Sequence, residues 1–274
     1  MQKRFALTLS ILFVFGALVY AGPEPLPSGK EMKQVAPAPP PCPNWTGFYI
    51  GAFGGYKFAA TDINLDLFGD WNGPSPSDPF DKEFIEPRAP HDLDASGAEA
   101  GGLIGYNYQW NKWVFGLEAS GGYLWLRNSD NTGTFTVPAT GDIYNVSTSF
   151  KTHYLVTVGP RIGYAFCRWL PYITGGLAIG DIDFDQEITQ FFRGRVFFDE
   201  GGSTSEARVG WMVGGGLEYA LTDHWRLRGQ YQYIDLGCTD FHSIGSASFN
   251  IGYFGHHEAC LREHNANFAI IYEF

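Results

Sequence analysis

The stretch 101–123, GGLIGYNYQWNKWVFGLEASGGY, decides the fold. Its apolar side chains recur at every second position up to Trp110 and again from Trp113, with Asn111-Lys112 between the two runs. Alternation with a period of two predicts strands with one apolar face, and the two-residue link predicts a β-hairpin. Glu118 lies on the opposite, polar face of this hairpin.

The same alternation continues on both sides of the hairpin and predicts eight strands. Three links contain two or three residues, namely 111–112, 167–168 and 222–224. The other four links run roughly over 59–96, 127–145, 186–206 and 237–263. Short turns at one end and long loops at the other are typical of outer-membrane barrels. We therefore predict an all-β, eight-stranded antiparallel up-and-down transmembrane β-barrel.

A soluble barrel with an apolar lumen would show the same period, so the apolar face must be assigned. Aromatic residues collect near both ends of the predicted strands, as two membrane-interface girdles require. The charged face is rich in glycine, which suits the crowded interior of a small barrel. Both features favour an apolar face in contact with lipid. The girdle residues are Trp45, Trp110, Trp113, Trp169 and Trp225 at the turn ends, and Trp125, Trp211 and Tyr233 at the far ends.

The N-terminal 44 residues indicate export. Residues 1–21 combine an early Lys3-Arg4 pair, an apolar run and a small-residue cleavage site near Ala21, which predicts a signal peptide. Residues 22–44 are rich in proline and predict a periplasmic tether, because such a stretch cannot bury a core. We expect the barrel to occupy 45–274 and the mature protein to reach the cell outer membrane.

The charge balance limits the partners. The formal net charge is -11, and the link 59–96 holds nine acidic residues against Lys82 and Arg88. An acidic external loop argues against nucleic acid as a partner. It could contact a host or other extracellular ligand through its aromatic residues, or simply keep the loop soluble.

The hairpin resembles, together with three other stretches, the outer-membrane β-barrel family of small bacterial surface proteins. This family includes alphaproteobacterial surface antigens and is related to the transmembrane domain of outer membrane protein A. The other stretches are WTGFYIGAFGGY (45–56), GPRIGYAFCRWLPYITGGLAIGD (159–181) and VGWMVGGGLEYALTDHWRLRGQYQYIDLG (209–237). The resemblance implies a porin-like barrel with roles in envelope integrity, host contact, haemin binding or weak pore activity. Fold alone does not choose among these functions.

Charged side chains on the inward face predict a polar network in the lumen. If Leu221 pairs with Trp225, Glu218 lies opposite Arg228 and diagonal to Arg226. An eight-stranded barrel is just wide enough for side chains to fill. We expect an ion-paired plug, and a narrow anion-attracting channel is the alternative. The predicted network contains Glu99, Glu118, Lys151, His153, Arg161, Arg208, Glu218, Arg226 and Arg228.

Four cysteines allow three pairings, and membrane sidedness separates them. Cys238 and Cys260 flank the last external loop, so we predict a disulfide between them. Cys42 and Cys167 are both expected in the periplasm. A Cys42–Cys167 bond, or an intermolecular bond through Cys42, is the less certain second pairing.

Neither a cofactor nor an enzyme activity is predicted. Four histidines lie in or beside the last loop and could bind a metal or haemin, but no metal-ligand spacing supports that reading, and a polar exposed loop explains them equally well. Acidic residues at the external rim and His242 suggest a rim hydrolase only weakly, because no hydrolase motif is present. The four histidines are His242, His256, His257 and His264.

The last ten residues, NANFAIIYEF (265–274), alternate to the final phenylalanine. We expect this strand to close the barrel against 45–58. Its apolar positions resemble the signal that the outer-membrane assembly machinery recognises, so deletion of Phe274 should impair insertion. The signal positions are Phe268, Ile270, Tyr272 and Phe274. The sequence thus predicts a structural surface protein in contact with outer-membrane lipid, with a small diffusion channel or an adhesin or haemin-binding protein as alternatives.

Overall fold

The computed structural model describes residues 42–72, 78–245 and 252–274, without the side chains of 78 and 79. The predicted signal peptide and the tether up to residue 41 lie outside the described residues. Among the described helices, none has the length and apolar character needed to cross a membrane.

Eight long antiparallel strands form a closed ring in the described part of the chain. Long strands that follow one another along the chain pair with each other. The two-residue β4 pairs only with β5. β1 pairs with β9 and β3 with β5, so the sheet has no free edge. The predicted eight-stranded barrel is confirmed. The strands are β1 (Gly47–Gly69), β2 (Ala95–Trp110), β3 (Trp113–Asn131), β4 (Phe135–Thr136), β5 (Ile143–Tyr164), β6 (Trp169–Phe192), β7 (Arg195–Ala220), β8 (Trp225–Gly245) and β9 (Tyr253–Glu273).

The outward face carries a band of exposed apolar side chains that ends abruptly. On β1 the outward residues are apolar from Phe48 to Phe58, and Asp62 and Asn64 follow. On β8 the band ends at Tyr233, and Asp235 follows. About eleven residues per tilted strand suffice to cross a bilayer. We therefore take as membrane-spanning the segments 47–59, 95–110, 113–125, 154–164, 169–179, 209–220, 225–233 and 264–273.

The aromatic residues lie in the predicted girdles, with one exception. Trp110 and Trp113 are exposed at the periplasmic edge, as are Trp169 and Trp225, whereas Trp45 is fully buried inside the barrel. Trp45 stands before β1, where the chain enters the lumen, and the Arg226 guanidinium lies 4.1 Å from its ring centroid. It therefore closes the periplasmic mouth and does not face lipid.

The strands extend well beyond the membrane, so the predicted loops are shorter than expected. β6 and β7 are joined by the tight turn Arg193-Gly194, with φ values of 51° and 75°, and most of 186–206 is therefore a β-hairpin. β8 and β9 likewise pair up to Ile244 and Phe254. Along the β6 extension Asp185 and Glu187 face outward, and Ile182, Phe184 and Ile188 face inward, the reverse of the membrane segments. Because of this inversion, the extensions do not show the apolar outer face by which the strands were predicted from the sequence.

A compact cap occupies the outer end of β1. It consists of a 3-10 helix (Asp70–Asn72), the helix α1 (Asp78–Ile85) and a second 3-10 helix (Glu86–Arg88). Trp71 and Ile85 are buried in an apolar cluster with side chains from β1, β5, β6 and β7. The described part of the predicted first loop therefore folds over the barrel end.

Register shifts in β3 and β5 change which side chains face inward. The pairing of β3 with β5 shifts between Tyr123 and Leu126, and that of β5 with β6 shifts between Lys151 and Leu155. An extra residue in one strand moves the following side chains to the other face. Phe150, at an even position like the outward-facing Tyr154 and Val156, is consequently buried in the lumen.

Candidate functional site

Two arginines and two glutamates meet in the lumen of the membrane-spanning part. Arg228 forms a bidentate contact with Glu118, with Nη1–Oε1 and Nη2–Oε2 distances of 2.8 and 2.6 Å. It also reaches Glu218, with Nε–Oε1 at 2.9 Å. Arg161 binds the same two carboxylates, with Nη1 3.1 Å from Oε2 of Glu118. Each cation therefore contacts both anions, and the formal charge of the cluster is zero.

These four residues come from four strands and are positioned by the turns. Glu218 on β7 stands opposite Arg228 on β8, as the tight turn between the two strands predicts. Glu118 on β3 is held at the same depth as Arg161 on β5. Arg161, Glu218 and Arg228 are buried and the Glu118 side chain is only 12% exposed, so the cluster crosses the lumen and ties opposite walls together. Charge-assisted bidentate bonds of this kind are the strongest protein hydrogen bonds.

Two tyrosines complete this layer from β1 and β6. The Tyr49 hydroxyl donates to Oε2 of Glu118 over 2.6 Å and accepts from Nη1 of Arg161 over 3.1 Å. The Tyr172 ring centroid lies 3.9 Å from the guanidinium carbon of Arg161. With these rings, six of the eight long strands contribute side chains to one layer. We call Tyr49, Glu118, Arg161, Tyr172, Glu218 and Arg228 the ion-pair layer.

A second ion pair lies farther toward the outside. Nζ of Lys57 is 2.8 Å from Oε2 of Glu263 and 3.8 Å from Oε2 of Glu99, and all three side chains are buried. The space between this group and the ion-pair layer has a volume of about 10 Å³, with Gln230 and Asn265 among its lining residues. That volume corresponds to a single water molecule.

Close backbone approach lets an aromatic ring enter the same region. A Cβ on Gly101 would lie 2.2 Å from the carbonyl oxygen of Gly121 and 2.6 Å from Cζ of Phe53. Glycine at this position therefore makes room for the Phe53 ring. The lumen is filled here by side chains and not by a wide space.

At the outer end of the membrane-spanning segments and just beyond them, apolar side chains fill the lumen. A buried cluster that includes Leu124, Phe150, Phe184, Leu236 and Leu261 fills it from β3, β5, β6, β8 and β9. We call this cluster the apolar layer. The sequence analysis expected an ion-paired plug in the lumen and did not predict this apolar layer.

A hydrogen-bond network around His257 and Glu200 lies above the apolar layer. Nδ1 of His257 is 2.6 Å from Oε1 of Gln186, and its Nε2 is 2.7 Å from the Ser243 hydroxyl. That hydroxyl is 2.7 Å from Oε1 of Glu200, whose Oε2 accepts from the Trp71 indole over 2.8 Å. Burial lowers the pKa of His257 to about 4 and raises the pKa of Glu200. His257 is therefore neutral near pH 7.

Three predicted lumen residues lie elsewhere. Lys151 is exposed, and His153 has 44% of its side chain exposed beside Asp181, because the bulge turns this part of β5 outward. Arg208 is half-buried beyond the membrane, where Nη2 donates to the Thr239 hydroxyl over 2.6 Å. Inclusion of Lys151 and His153 in the lumen network is therefore wrong.

Two other predicted residues are inward but belong to other groups. Arg226 pairs with Glu273 at the periplasmic mouth, and its Nη2 donates to the carbonyl oxygen of Asn44 over 3.2 Å. Glu99 belongs to the Lys57 group. Lys57 and Glu263 were not singled out from the sequence, although the alternation of β1 puts Lys57 on the inward face.

One disulfide lies at each end of the barrel. Cys42 is bonded to Cys167 at the periplasmic turns, and Cys238 is bonded to Cys260 between β8 and β9. Cys238 and Cys260 are direct partners in the β8–β9 ladder. The second bridge therefore pins two strands beyond the membrane.

The histidines of the last predicted loop do not converge. His257 points into the lumen, whereas His264 binds the Tyr231 hydroxyl on the outer surface through Nδ1, 2.6 Å away. His242 and His256 lie side by side with ring centroids 5.0 Å apart. A shared metal or haemin site of all four histidines is thus excluded.

The last strand faces lipid with its apolar positions. Phe268, Ile270 and Phe274 are exposed on the outer surface, and Tyr272 stands opposite Ile50 in the β1–β9 ladder. β9 therefore closes the ring with β1. Their role as an assembly signal stays a prediction.

Comparisons with known proteins agree with this architecture. Residues 36–254 match the family model described as outer membrane protein beta-barrel domain. The 31 kDa outer-membrane immunogenic protein of Brucella melitensis is 32% identical over 71% of this chain and 72% of that protein. A 22 kDa outer membrane protein of Rhizobium leguminosarum bv. viciae is 27% identical over 80% of this chain and 77% of that protein. The crystal structure of OprG from Pseudomonas aeruginosa has 12% identity and a TM-score of 0.41, with 85% of this chain and 99% of that chain covered.

Proposed function

Because the chain belongs to the outer membrane protein beta-barrel domain family, we propose that it is a closed structural surface protein of the outer membrane. The observation that supports this proposal is the ion-pair layer, in which Arg161 and Arg228 each contact both Glu118 and Glu218 across the lumen. Side chains that bind each other across the barrel cannot at the same time line an open pore.

The electrostatics of the layer support a plug over a channel. A channel that attracts anions needs cations with free donors facing water. Here the guanidinium donors of Arg228 are used by two carboxylates, and its side chain is fully buried. Separating these buried ion pairs would leave charges without partners, which is costly. The layer therefore does not open without loss of stability.

The apolar layer adds a second closure. Phe150, Phe184 and Leu236 fill the lumen where water would have to leave the barrel. Hydrated ions would lose their water against these side chains. The ion-pair layer and the apolar layer thus close the lumen at two depths, as we expect for a structural barrel.

The proposed partners follow from the outer surface. Outer-membrane lipid contacts the apolar band, and the assembly machinery recognises β9 through its outward positions. The extensions beyond the membrane present polar surfaces to host or other extracellular ligands. The name of the Brucella relative, an immunogenic protein, supports a surface-exposed position for these extensions. We propose no enzyme activity.

Conductance of the refolded barrel in planar bilayers tests this proposal. We expect no steady open level for the wild-type protein, and no swelling of vesicles in small sugars. Each sample is first checked for heat-dependent gel mobility, which shows that the barrel is folded. A reproducible open level from folded protein would contradict the closed barrel and favour the small diffusion channel.

A further inference from the structure

We propose that His153, Asp181 and Asp183 form a binding site for a divalent transition-metal ion on the outer surface of the barrel. His153 lies in β5 and the two aspartates lie in the neighbouring strand β6. The three residues follow directly outside the membrane-spanning segments. None of the three belongs to the ion-pair layer or to the apolar layer.

The three candidate ligand atoms converge. Nδ1 of His153 is 2.7 Å from Oδ2 of Asp181 and 3.4 Å from Oδ2 of Asp183. All three ligand atoms lie within 4.8 Å of one another. Tetrahedral zinc with bonds of about 2.0–2.2 Å separates its ligand atoms by roughly 3.4 Å. The longer of the two distances equals this spacing and the shorter lies below it, so only small side-chain movements are needed.

Both carboxylates are already oriented by other hydrogen bonds. Oδ1 of Asp181 accepts the backbone N–H groups of His153 and Tyr154, over 2.9 and 2.7 Å. Oδ1 of Asp183 accepts the hydroxyl of Ser205 from β7. Each aspartate therefore holds one oxygen in the protein and directs the other toward the imidazole. Hydrogen bonds of this type fix metal ligands in place and raise metal affinity.

The β5 bulge places the imidazole over the carboxylates. Without the extra residue, His153 would face the lumen together with Thr157 and Arg161. With it, His153 and Asp181 stand on the outer surface, with side-chain exposures of 44% and 13%. Bulges commonly redirect a side chain toward a functional site.

The donor set selects the class of ion. An imidazole nitrogen with two carboxylate oxygens suits Zn²⁺, Mn²⁺, Co²⁺ or Ni²⁺, whereas Ca²⁺ and Mg²⁺ prefer oxygen ligands alone. Three protein ligands leave at least one position for water or an oxygen of an anionic headgroup.

A second His–Asp pair provides a matched control. His256 and Asp240 also lie on the outer surface beyond the membrane, with Nε2 and Oδ1 3.7 Å apart. Among the described residues, Asp240 is the one carboxylate within 4.0 Å of this imidazole. The pair therefore carries the same residue types without the third ligand.

Calorimetric titration of the untagged, refolded full-length barrel with ZnCl₂ tests the site. We expect one saturable site per chain and at least tenfold weaker binding of CaCl₂ and MgCl₂. His153→Gln and Asp183→Asn should each weaken Zn²⁺ binding by about 10–100-fold, and His256→Gln should leave it unchanged. Asp183→Asn is the main variant, because Asp181 also holds the bulge. Heat-dependent gel mobility verifies the fold of each variant.

The outcomes separate the site from a simple charge pair. If wild-type barrel gives no saturable Zn²⁺ binding, His153 and the aspartates form only an ion pair, and the proposal fails. It also fails if binding survives both His153→Gln and Asp183→Asn, or if His256→Gln abolishes it.

Discussion

The two halves of the lumen are filled by opposite chemistry along the same strands. On β5, Arg161 faces the lumen inside the membrane, and Phe150 faces it eleven residues farther out. Inside the membrane the outer face must be apolar, so polar side chains are left to the lumen. Beyond the membrane the outer face meets water, and the lumen becomes an ordinary apolar core. The surrounding solvent thus decides the chemistry of the interior at each depth.

This difference predicts that the two layers stabilise the barrel by different interactions. The ion-pair layer depends on completeness, because a buried charge that loses its partner is strongly destabilising. The apolar layer depends on packing, because a removed side chain leaves a cavity. Substitutions in the two layers should therefore differ in how they respond to compensating changes and to salt.

The largest effect is expected for Arg228→Met in the ion-pair layer. The substitution leaves Glu118 and Glu218 with Arg161 as their remaining cation in the layer. We expect a loss of about 4 kcal/mol in the free energy of unfolding, since one partner of a buried pair is removed. Urea unfolding of the barrel in lipid vesicles, followed by tryptophan fluorescence, measures it.

An exposed arginine on the outer surface is the matched control for this variant. Nη1 of Arg262 is 2.9 Å from Oδ2 of Asp62, but both side chains are at least half exposed. Arg262→Ala should cost less than about 1 kcal/mol. Replacing Glu118, Arg161, Glu218 and Arg228 together by apolar residues should restore much of the loss. Equal, small effects of Arg228→Met and Arg262→Ala would contradict a coupled layer.

A smaller loss is expected for Leu124→Ala in the apolar layer. Leu124 is 2% exposed and packs with side chains from several strands. We expect a loss of about 3 kcal/mol, unchanged between low and high salt, because the lost term is packing and transfer. The same urea unfolding at two salt concentrations checks it. A marked dependence on salt would mean that charge, not packing, governs this level.

The sequence predicted the ion-pair layer where counting from a turn is valid. No bulge separates the turn 221–224 from Glu218 and Arg228, so the register follows from Leu221 and Trp225 alone. The barrel class was predictable for the same reason, since the apolar face alternates without interruption through each membrane segment.

Counting residues from a turn predicted the wrong face where an extra residue changes which positions point inward. Lys151 and His153 lie just past the bulge of β5, and nothing in the local sequence marks that bulge. The proposed metal ligands are 28 and 30 residues apart on two strands, so no short motif could reveal them. The long extensions were missed because their alternation is inverted beyond the membrane.

The smallest predicted effect concerns the hydrogen-bond network above the apolar layer. His257 has a pKa of about 4 in the closed barrel, against the usual 6.5. When the network opens, His257 binds a proton between these values, so the open state gains protons as the pH falls. The closed state is therefore fully favoured above pH 6.5 and loses about 2 kcal/mol by pH 5. Glu200 acts in the opposite direction, because its raised pKa favours the closed state at low pH and less so as the pH rises.

Native-state hydrogen exchange separates the two contributions. At pH 5, relative to pH 7 and after correction for intrinsic rates, the Ser243 and His257 amides should exchange faster in Glu200→Gln than in the wild type. With the opposing carboxyl removed, the full loss of about 2 kcal/mol corresponds to about a 30-fold increase in opening. His257→Gln should abolish the increase, and amides beside Glu118 should not respond, because no histidine contacts the ion-pair layer in the described residues. An equal response in both layers would mean that acid loosens the whole barrel, and the two halves would then not be independent.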